Sequence, residues 1–327
     1  MKLSKFPYLV QKEIFDHMKH SNLFSLSLVS NNIKKLIKSS QTVRFQSISR
    51  ITYRNLVNKW HVGIPFKTKN MGTMEEYQGT ELIMTMSNLD DTKHACFQLN
   101  VSGKSMDFRV SDKYRIPEAY FHPSHKGSAF EIIHNYLLDF FGNTVEHIWQ
   151  AKSYNHFIPQ LPNLSLWVTI RPDRSEMVKN LDTFFDSSPA LKHINIEWIK
   201  LLLISPESKF YQAESIKIIQ PRSPTVNIFL RNFKGRQATL LYCKCEVSDL
   251  IEFMNRWRSG EHSRKLEYLR IRFTPGPALK PNTDPIISHF YIVRETDYRV
   301  ASVSIQGSDF RFGVWRETEE EFLRIVE

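Results

Sequence analysis

The sequence predicts a mixed α+β and α/β chain with a compact helical unit at the N-terminus, then a β-meander, then a curved α/β domain of degenerate repeats. Apolar residues recur at helical spacing as far as Ser40, alternate with polar residues from Leu82 to Val110, and then form a strand pattern that returns at regular intervals. The 327 residues are 41% hydrophobic and 24% charged, which is typical of globular proteins with at least one sizeable core.

Three helices are predicted before residue 41. Pro7 suits a first helical position, and the apolar residues after it predict a helix from about Tyr8 to Lys19. Polar breaks at Ser21-Asn22 and at residues 30–32 set off two further helices, which carry the apolar residues of 23–29 and 33–37. Because so small a unit cannot close all of its apolar faces by itself, the surplus predicts a permanent partner.

The positive charge is concentrated at the same end of the chain. Residues 1–60 carry eleven Lys and Arg against Glu13 and Asp16, a net charge of +9, whereas the whole chain carries +10. Such a patch indicates an acidic partner, which could be nucleic acid, membrane headgroups or an acidic protein surface. The alternative is a helix surface whose charges only interact with solvent.

Period-two alternation predicts an antiparallel meander after residue 80. The alternating residues of its three strands are Leu82, Met84 and Met86, then Ala95, Phe97, Leu99 and Val101, then Met106, Phe108 and Val110. Polar turns at 87–91 and 102–105 separate the strands. Residues 46–60 are predicted to connect the helical unit to this region.

A Leu-x-x-Leu-x-Leu strand pattern recurs beyond residue 160. Its middle positions are 164, 194, 216, 241 and 269, and these intervals are close to the roughly 20–29 residues of a leucine-rich repeat. Helices are predicted at 128–141, 175–186 and 248–259. The Asn or Cys that turns the chain in regular repeats is lacking, which favours a curved, repeat-like α/β sheet over a regular horseshoe.

No catalytic or metal-binding pattern is present with the context it needs. Cys243 and Cys245 lie on one face of a predicted strand without a second ligand pair, which favours core cysteines over zinc ligands. His122 and His125 lie in a loop, where a solvated turn is favoured over a metal site. We therefore expect no enzyme, no cofactor and no metal. Three cysteines, no secretory signal and no long apolar span predict a cytoplasmic or nuclear protein away from membranes.

Residues 5–40 resemble an F-box. In that family a Leu-Pro or Phe-Pro opening leads into an apolar helix, followed by a Leu-x-x-Leu-x-x-Val-Ser-Lys-like stretch. Here the opening is Phe6-Pro7, followed by Ile14-Phe15 and Met18, and the later stretch is Leu23 to Ile37. The resemblance implies docking onto a Skp1-like adaptor and, through it, onto a cullin.

A second resemblance covers much of residues 120–315, which look like the F-box-associated domain of an expanded nematode family. The segments that carry it are 181–194, 253–260 with 266–269, and 300–305. In that family the domain is taken to recruit substrates. Together the two resemblances imply an F-box at 1–45, a connecting segment at 46–60 and a substrate-recruiting domain at 61–327.

The leading hypothesis is a substrate-recognition adaptor of a Skp1-Cullin-F-box ubiquitin ligase, with an unknown protein substrate. The residues expected to bind Skp1 are Phe6, Pro7, Leu9, Ile14, Phe15, Met18, Leu26, Val29 and Ile33. The alternative is a nucleic-acid-binding protein that uses the basic residues of 34–59 as a phosphate track. This alternative ranks behind, because no base-reading motif accompanies the charge.

Overall fold

The computed structural model describes residues 5–56, 59–69, 76–89, 97–101, 103–152, 157–170, 181–197, 204–219, 225–274 and 290–326. These residues form two compact units. Unit 1 comprises residues 1–150 and 157–165, and unit 2 comprises residues 151–156 and 166–327. The division differs from the predicted boundaries at 45 and 60, because the N-terminal helices pack into the same unit as the strands that follow them.

Unit 1 contains five α-helices and seven strands among its described residues. The helices are α1 (Tyr8–Asp16), α2 (His20–Val29), α3 (Asn31–Ser40), α4 (Thr42–Gln46) and α5 (Lys126–Phe141). The strands are β1 (Arg50–Leu56), β2 (Lys59–Lys69), β3 (Glu76–Asn88), β4 (Phe97–Val101), β5 (Lys104–Val110), β6 (Pro117–Phe121) and β7 (Glu146–Ala151). The three predicted helices of residues 8–40 are confirmed, and so is the helix predicted at 128–141.

The predicted break at residues 30–32 is a single residue in the structure. Ser30 is fully extended, with φ −156° and ψ 130°, and it ends α2 and begins α3. Because one extended residue reverses the direction of the chain, α2 and α3 lie against each other without a loop.

The sheet of unit 1 has the order β7-β1-β2-β3-β6-β5-β4. The β4–β5 pair is antiparallel, as predicted. Strand β6 was not predicted, and it pairs antiparallel with β5 and parallel with β3. The meander is therefore broken between its first and second predicted strands. Residues 50–60 contain β1 and the start of β2, which pair with each other, and β1 also pairs with β7. The connecting role of residues 46–60 stays a prediction.

A β-bulge explains why burial in β3 departs from strict alternation. The register with β2 shifts between Val62 and Gly63, so that Ile83 has no direct partner. Ile83, Met84 and Met86 are all buried, whereas Leu82 is only half-buried. Gly63 is needed at this point because a Cβ would lie 2.8 Å from the carbonyl oxygen of Glu81. Ala95, at the start of the second predicted strand, lies outside the described residues.

Unit 2 contains eight strands with helices between several of them, counted over its described residues. The strands are β8 (Leu164–Ile170), β9 (Ala190–Glu197), β10 (Ser215–Ile219), β11 (Gln237–Cys243), β12 (Tyr268–Phe273), β13 (Phe290–Val293), β14 (Arg299–Gln306) and β15 (Asp309–Thr318). The helices are α6 (Leu181–Ser187), α7 (Thr225–Asn232), α8 (Val247–Arg258) and α9 (Glu319–Val326).

All five strands predicted from the recurring pattern are present. They follow one another in chain order across the sheet, and the pairs β9–β10, β10–β11 and β11–β12 are parallel. After β12 the sheet becomes antiparallel, in the order β12-β15-β14-β13. This antiparallel end was not predicted, and the likeness to leucine-rich repeats stays a prediction.

The helix predicted at 248–259 is confirmed as α8. Of the helix predicted at 175–186, residues 175–180 lie outside the described residues and the rest begins α6. Helix α7 was not predicted. Its apolar residues Val226, Phe229 and Leu230 are buried, but they follow Pro221 and Pro224 so closely that the segment resembles a loop in sequence.

Two buried histidines form a hydrogen-bonded cluster with Tyr53 in unit 1. His134 Nε2 lies 2.6 Å from the carbonyl oxygen of Pro162, which can only accept, so Nε2 carries the proton. In the neutral ring Nδ1 then accepts from the Tyr53 hydroxyl at 2.9 Å, and the Tyr53 oxygen accepts from His147 Nδ1 at 3.2 Å. The remaining nitrogen, His147 Nε2, is buried without a partner among the described residues. Both rings are therefore neutral in the folded protein.

Burial lowers the pKa of both histidines. The pKa of His147 falls to about 3, because its ring also lies 4.6 Å from that of His134. The unfolded chain binds these protons near pH 6.5, whereas the folded chain does not. The free energy of unfolding of unit 1 should therefore have its full value above that pH. It should fall below pH 6.5, by up to about 1.4 kcal/mol per pH unit for His147. Urea titrations between about pH 5 and 7 measure this slope, before most carboxylates begin to titrate.

His147→Asn should reduce the slope, because an Asn amide can still donate to Tyr53 but does not titrate. A slope that is the same in wild type and His147→Asn would contradict this assignment.

Candidate partner-binding surface of the N-terminal helices

The inward face of the N-terminal helices is aromatic and packs on α5. Phe24 of α2 lies edge-on to Tyr136 and Phe140, with ring centroids 5.8 and 5.9 Å away. Phe45 of α4 packs on Phe140 and Phe141 at 5.2 and 5.0 Å. Phe24 and Phe45 are almost completely buried. The orientation of the helices in unit 1 is therefore fixed by a shared aromatic core.

Polar contacts reinforce this packing. The Tyr136 hydroxyl donates to Ser27 Oγ at 3.0 Å, and Lys34 Nζ lies 3.6 Å from the centre of the Tyr136 ring. Lys34 and Lys38 both contact the Asp139 carboxylate, each at 2.5 Å. Burial alone would raise the pKa of Asp139, but hydrogen bonds from Lys34 and Lys38 hold it below its usual value.

The N-terminus of α2 is capped from the sheet and not by its own sequence. Lys19 precedes the helix and provides no side-chain cap. Instead Glu81 of β3 accepts from the Ser21 backbone N–H at 2.9 Å, while its other oxygen lies 2.9 Å from His20 Nδ1. Burial opposes the charged form of Glu81, yet the hydrogen bonds from His20 and Ser21 keep its pKa below the usual value.

The outward surface of the helices carries apolar side chains that the rest of the chain covers only in part. Leu9 is 76% exposed and Val29 is 72% exposed, and Pro7 is exposed beside Leu9. The other expected Skp1-binding residues that reach the surface are half-buried, namely Phe6, Ile14, Met18, Leu26 and Ile33. These eight residues can contact a partner without a change in the fold.

Phe15 is the exception among the nine expected residues. Its side chain is completely buried, so it belongs to the internal core and is not available to a partner in this structure. Helical spacing alone places Phe15 and Ile14 next to each other and cannot say which of them faces inward. Sequence reasoning missed three further exposed apolar residues, Tyr8, Val10 and Val43.

Several basic residues of the proposed phosphate track have partners within the chain. Lys34 and Lys38 pair with Asp139, and Lys59 pairs at 2.6 Å with the buried Glu118. Arg44 donates to the carbonyl oxygens of Phe15 and Asp16 and so closes the C-terminus of α1. These cations stabilise unit 1, which weakens the nucleic-acid alternative.

The other residues singled out in the sequence do not form a site. Cys243 is buried and Cys245 half-buried, and burial raises the pKa of both thiols to about 12. His122 Nδ1 contacts Ser124 Oγ at 2.6 Å in a turn. Over the described ranges, no group of three or more His, Cys, Asp or Glu side chains is placed to hold a metal ion.

Among the described residues, no helix is both long and apolar enough to cross a bilayer.

Removing the Glu81 carboxylate should loosen the helices from the sheet. Glu81→Ala deletes the cap of α2 and the contact with His20, and should lower the free energy of unfolding by about 2 kcal/mol. Glu13→Ala is the control, because Glu13 contacts only the exposed His17 and its loss should cost about 0.5 kcal/mol or less. Urea unfolding measures both. Equal effects would show that the Glu81 contacts do not hold α2 in place.

Comparison with known proteins identifies the helical unit. Residues 3–45 match the family model described as the F-box domain. No curated protein matches this chain, and no solved structure matches it either. The match covers α1 to α3 and most of α4, the helices whose inward face packs on α5 and whose outward face carries Leu9 and Val29. The chain therefore carries an F-box domain at its N-terminus.

Proposed function

We propose that this protein is a substrate adaptor of a Skp1-Cullin-F-box ubiquitin ligase. Its F-box binds a Skp1-like adaptor and through it a cullin, while unit 2 binds the protein to be ubiquitinated. The observation that carries the proposal is that the matched F-box segment exposes large apolar side chains, with Leu9 at 76% and Val29 at 72%. The chain acts as a non-catalytic subunit in the cytoplasm or nucleus.

The exposed apolar residues have an energetic cost that a partner would remove. Burying a Leu or Val side chain contributes roughly 1.5–3 kcal/mol, and Leu9 and Val29 gain little of this in the isolated chain. Exposed apolar residues that share a small helical surface mark protein interaction sites. Leu9, Val29, Pro7 and the half-buried Ile14 and Ile33 are the proposed contacts.

The charge around these residues favours an acidic partner. Lys5, Lys19 and Lys35 are exposed, and Lys12 pairs with Asp16 at the surface of α1. A Skp1-like protein is acidic in the family picture, so these lysines would speed association and fix the orientation of the complex.

The resemblance to the nematode F-box-associated domain supports a substrate-binding role for unit 2. Its three carrying segments lie on α6 and β9, on α8 and β12, and on β14, which are all elements of unit 2. The proposal therefore assigns substrate binding to unit 2 alone, and the strands of 50–121 to the support of the F-box.

Charge on the outward face should abolish docking. Leu9→Asp/Val29→Asp places two carboxylates in the apolar contact and should weaken binding to purified Skp1 by at least about a hundred-fold, measured by titration calorimetry. Because both side chains are exposed, the free energy of unfolding should change by less than about 0.5 kcal/mol.

Val247→Asp is the matched control. Val247 is 71% exposed and begins α8 in unit 2, where an acidic residue suits a helix N-terminus. This variant should bind Skp1 as the wild type does. Undiminished binding by the double variant, or no binding by the wild type, would rule out the proposed surface.

A further inference from the structure

Unit 2 contains an open groove of about 630 Å³ at one edge of its parallel strands. The groove is lined by the first residues of β9, by the 3₁₀ turn Lys209–Gln212, and by the residues that precede β10, β11 and β12. His193, Ser215, Gln237 and Tyr268 are in register across the four strands. Since the strands run in parallel, the residues that precede them meet at the same edge of the sheet.

Five cations line this groove against one carboxylate. The cations are Lys192, Lys209, Lys234, Arg236 and Lys265, and the carboxylate is Glu214. Neighbouring strands lie about 4.8 Å apart, so residues that precede successive strands form a row across the strand ends. The lining therefore has a net charge of +4, although the last 267 residues of the chain are almost neutral as a whole.

The cations differ in whether they already have an ion-pair or hydrogen-bond partner within the chain. Glu214 contacts Lys192 at 2.8 Å and Arg236 at 3.2 Å, and Arg236 also contacts Glu267 at 2.5 Å. Lys209 donates to the carbonyl oxygen of Asp186 at 2.7 Å. Lys234 and Lys265 are exposed, and neither side chain has an ion-pair partner within the described parts of unit 2.

The floor of the groove is formed by closely packed backbone. Gly235 is buried, and a Cβ at this position would lie 2.0 Å from the carbonyl oxygen of Ala213. The Lys234 N–H donates to the Tyr211 carbonyl and the Arg236 N–H to the Glu214 carbonyl, at 2.8 and 2.9 Å. These bonds fix the backbone from which Lys234 and Arg236 extend, so the cations are presented from a rigid support.

We infer that this groove binds an acidic segment of a partner protein, rich in Asp and Glu, through Lys234, Lys265 and the cations beside them. Pro189, Ala190 and Leu191 supply an apolar wall against which a peptide can pack. Nucleic acid fits less well, because the lining contains no aromatic side chain on which a base could stack and carries Glu214 among its cations. Identifying the segment as part of the ubiquitination substrate rests on the proposed function, whereas the binding itself does not.

The direct test is fluorescence anisotropy of the purified full chain with a labelled peptide that alternates Glu with Ser. A peptide that alternates Lys with Ser is the charge-reversed probe, and a labelled single-stranded oligonucleotide is the nucleic-acid probe. We expect the Glu peptide to bind, to bind more weakly as salt is raised, and to bind more tightly than either other probe.

Lys234→Glu/Lys265→Glu should weaken binding of the Glu peptide by at least about ten-fold, because it reverses two exposed charges at the groove. The matched control is Lys244→Glu/Arg316→Glu, which makes the same change in net charge at exposed residues outside the groove and should bind as the wild type does. Circular dichroism confirms that both variants are folded.

Three results would overturn the inference. They are no binding of the Glu peptide, equal weakening by the two double variants, and tighter binding of the oligonucleotide that is lost in Lys234→Glu/Lys265→Glu. Skp1 binding by the same variants is measured in parallel. If the wild type binds Skp1 but not the Glu peptide, the inference about the groove is wrong and the proposed function is unaffected. If the wild type does not bind Skp1, the proposed function is contradicted.

Discussion

The packing of Phe24 and Phe45 on helix α5 determines how the N-terminal helices are presented. A three-helix unit has too little core to be stable by itself, and here α5 supplies the missing aromatic surface through Tyr136, Phe140 and Phe141. Leu9 and Val29 take no part in this aromatic packing and stay at the surface. The contact with α5 thus fixes the F-box within unit 1, and apolar side chains remain that a partner can reach.

The same arrangement changes the meaning of the charge in the first sixty residues. Counted along the sequence, the segment carries +9, but Asp139, Glu118 and Glu81 come from later parts of unit 1 and contact its Lys and His side chains. Forming these ion pairs removes water from both charged groups, which costs free energy. Their main effect is therefore to fix the positions of the side chains. The basic character that remains at the surface is smaller than the sequence suggests, and the same helices also expose Leu9 and Val29, which fits a protein partner better than a phosphate track.

The parallel strands of unit 2 and the helices α1, α2, α3 and α5 of unit 1 were largely predictable, because burial on one side imposes a period of 3.6 or 2 on the residues themselves. Features that depend on residues distant in sequence were not. The parallel pairing of β3 with β6 and the cap of α2 by Glu81 involve partners 33 or more positions apart in the chain, and no local pattern marks them. The β-bulge that buries Ile83 likewise changes the alternation of buried and exposed residues in β3, and nothing in the sequence of that strand marks it.

Burial of aromatic residues near breaks in the sequence pattern is decided by tertiary packing. Phe157 lies near such a break and is 37% exposed, whereas Phe210, Tyr211 and Phe233, in similar positions, are buried. Their neighbours Lys209, Lys234 and Arg236 line the basic groove instead. A residue near a loop is expected to have an accessible backbone. Its side chain, if aromatic, can still be buried in the nearest apolar core.

The central claim is that one face of the F-box helices is held by α5 while the other is free for Skp1. Hydrogen exchange of the full chain with and without Skp1 measures both faces at once. We predict slower exchange in α1, α2 and α3 when Skp1 is added, with α5 and the strands of unit 2 unchanged. Unchanged exchange in α1 to α3 under saturating Skp1, or protection found only in unit 2, would contradict it.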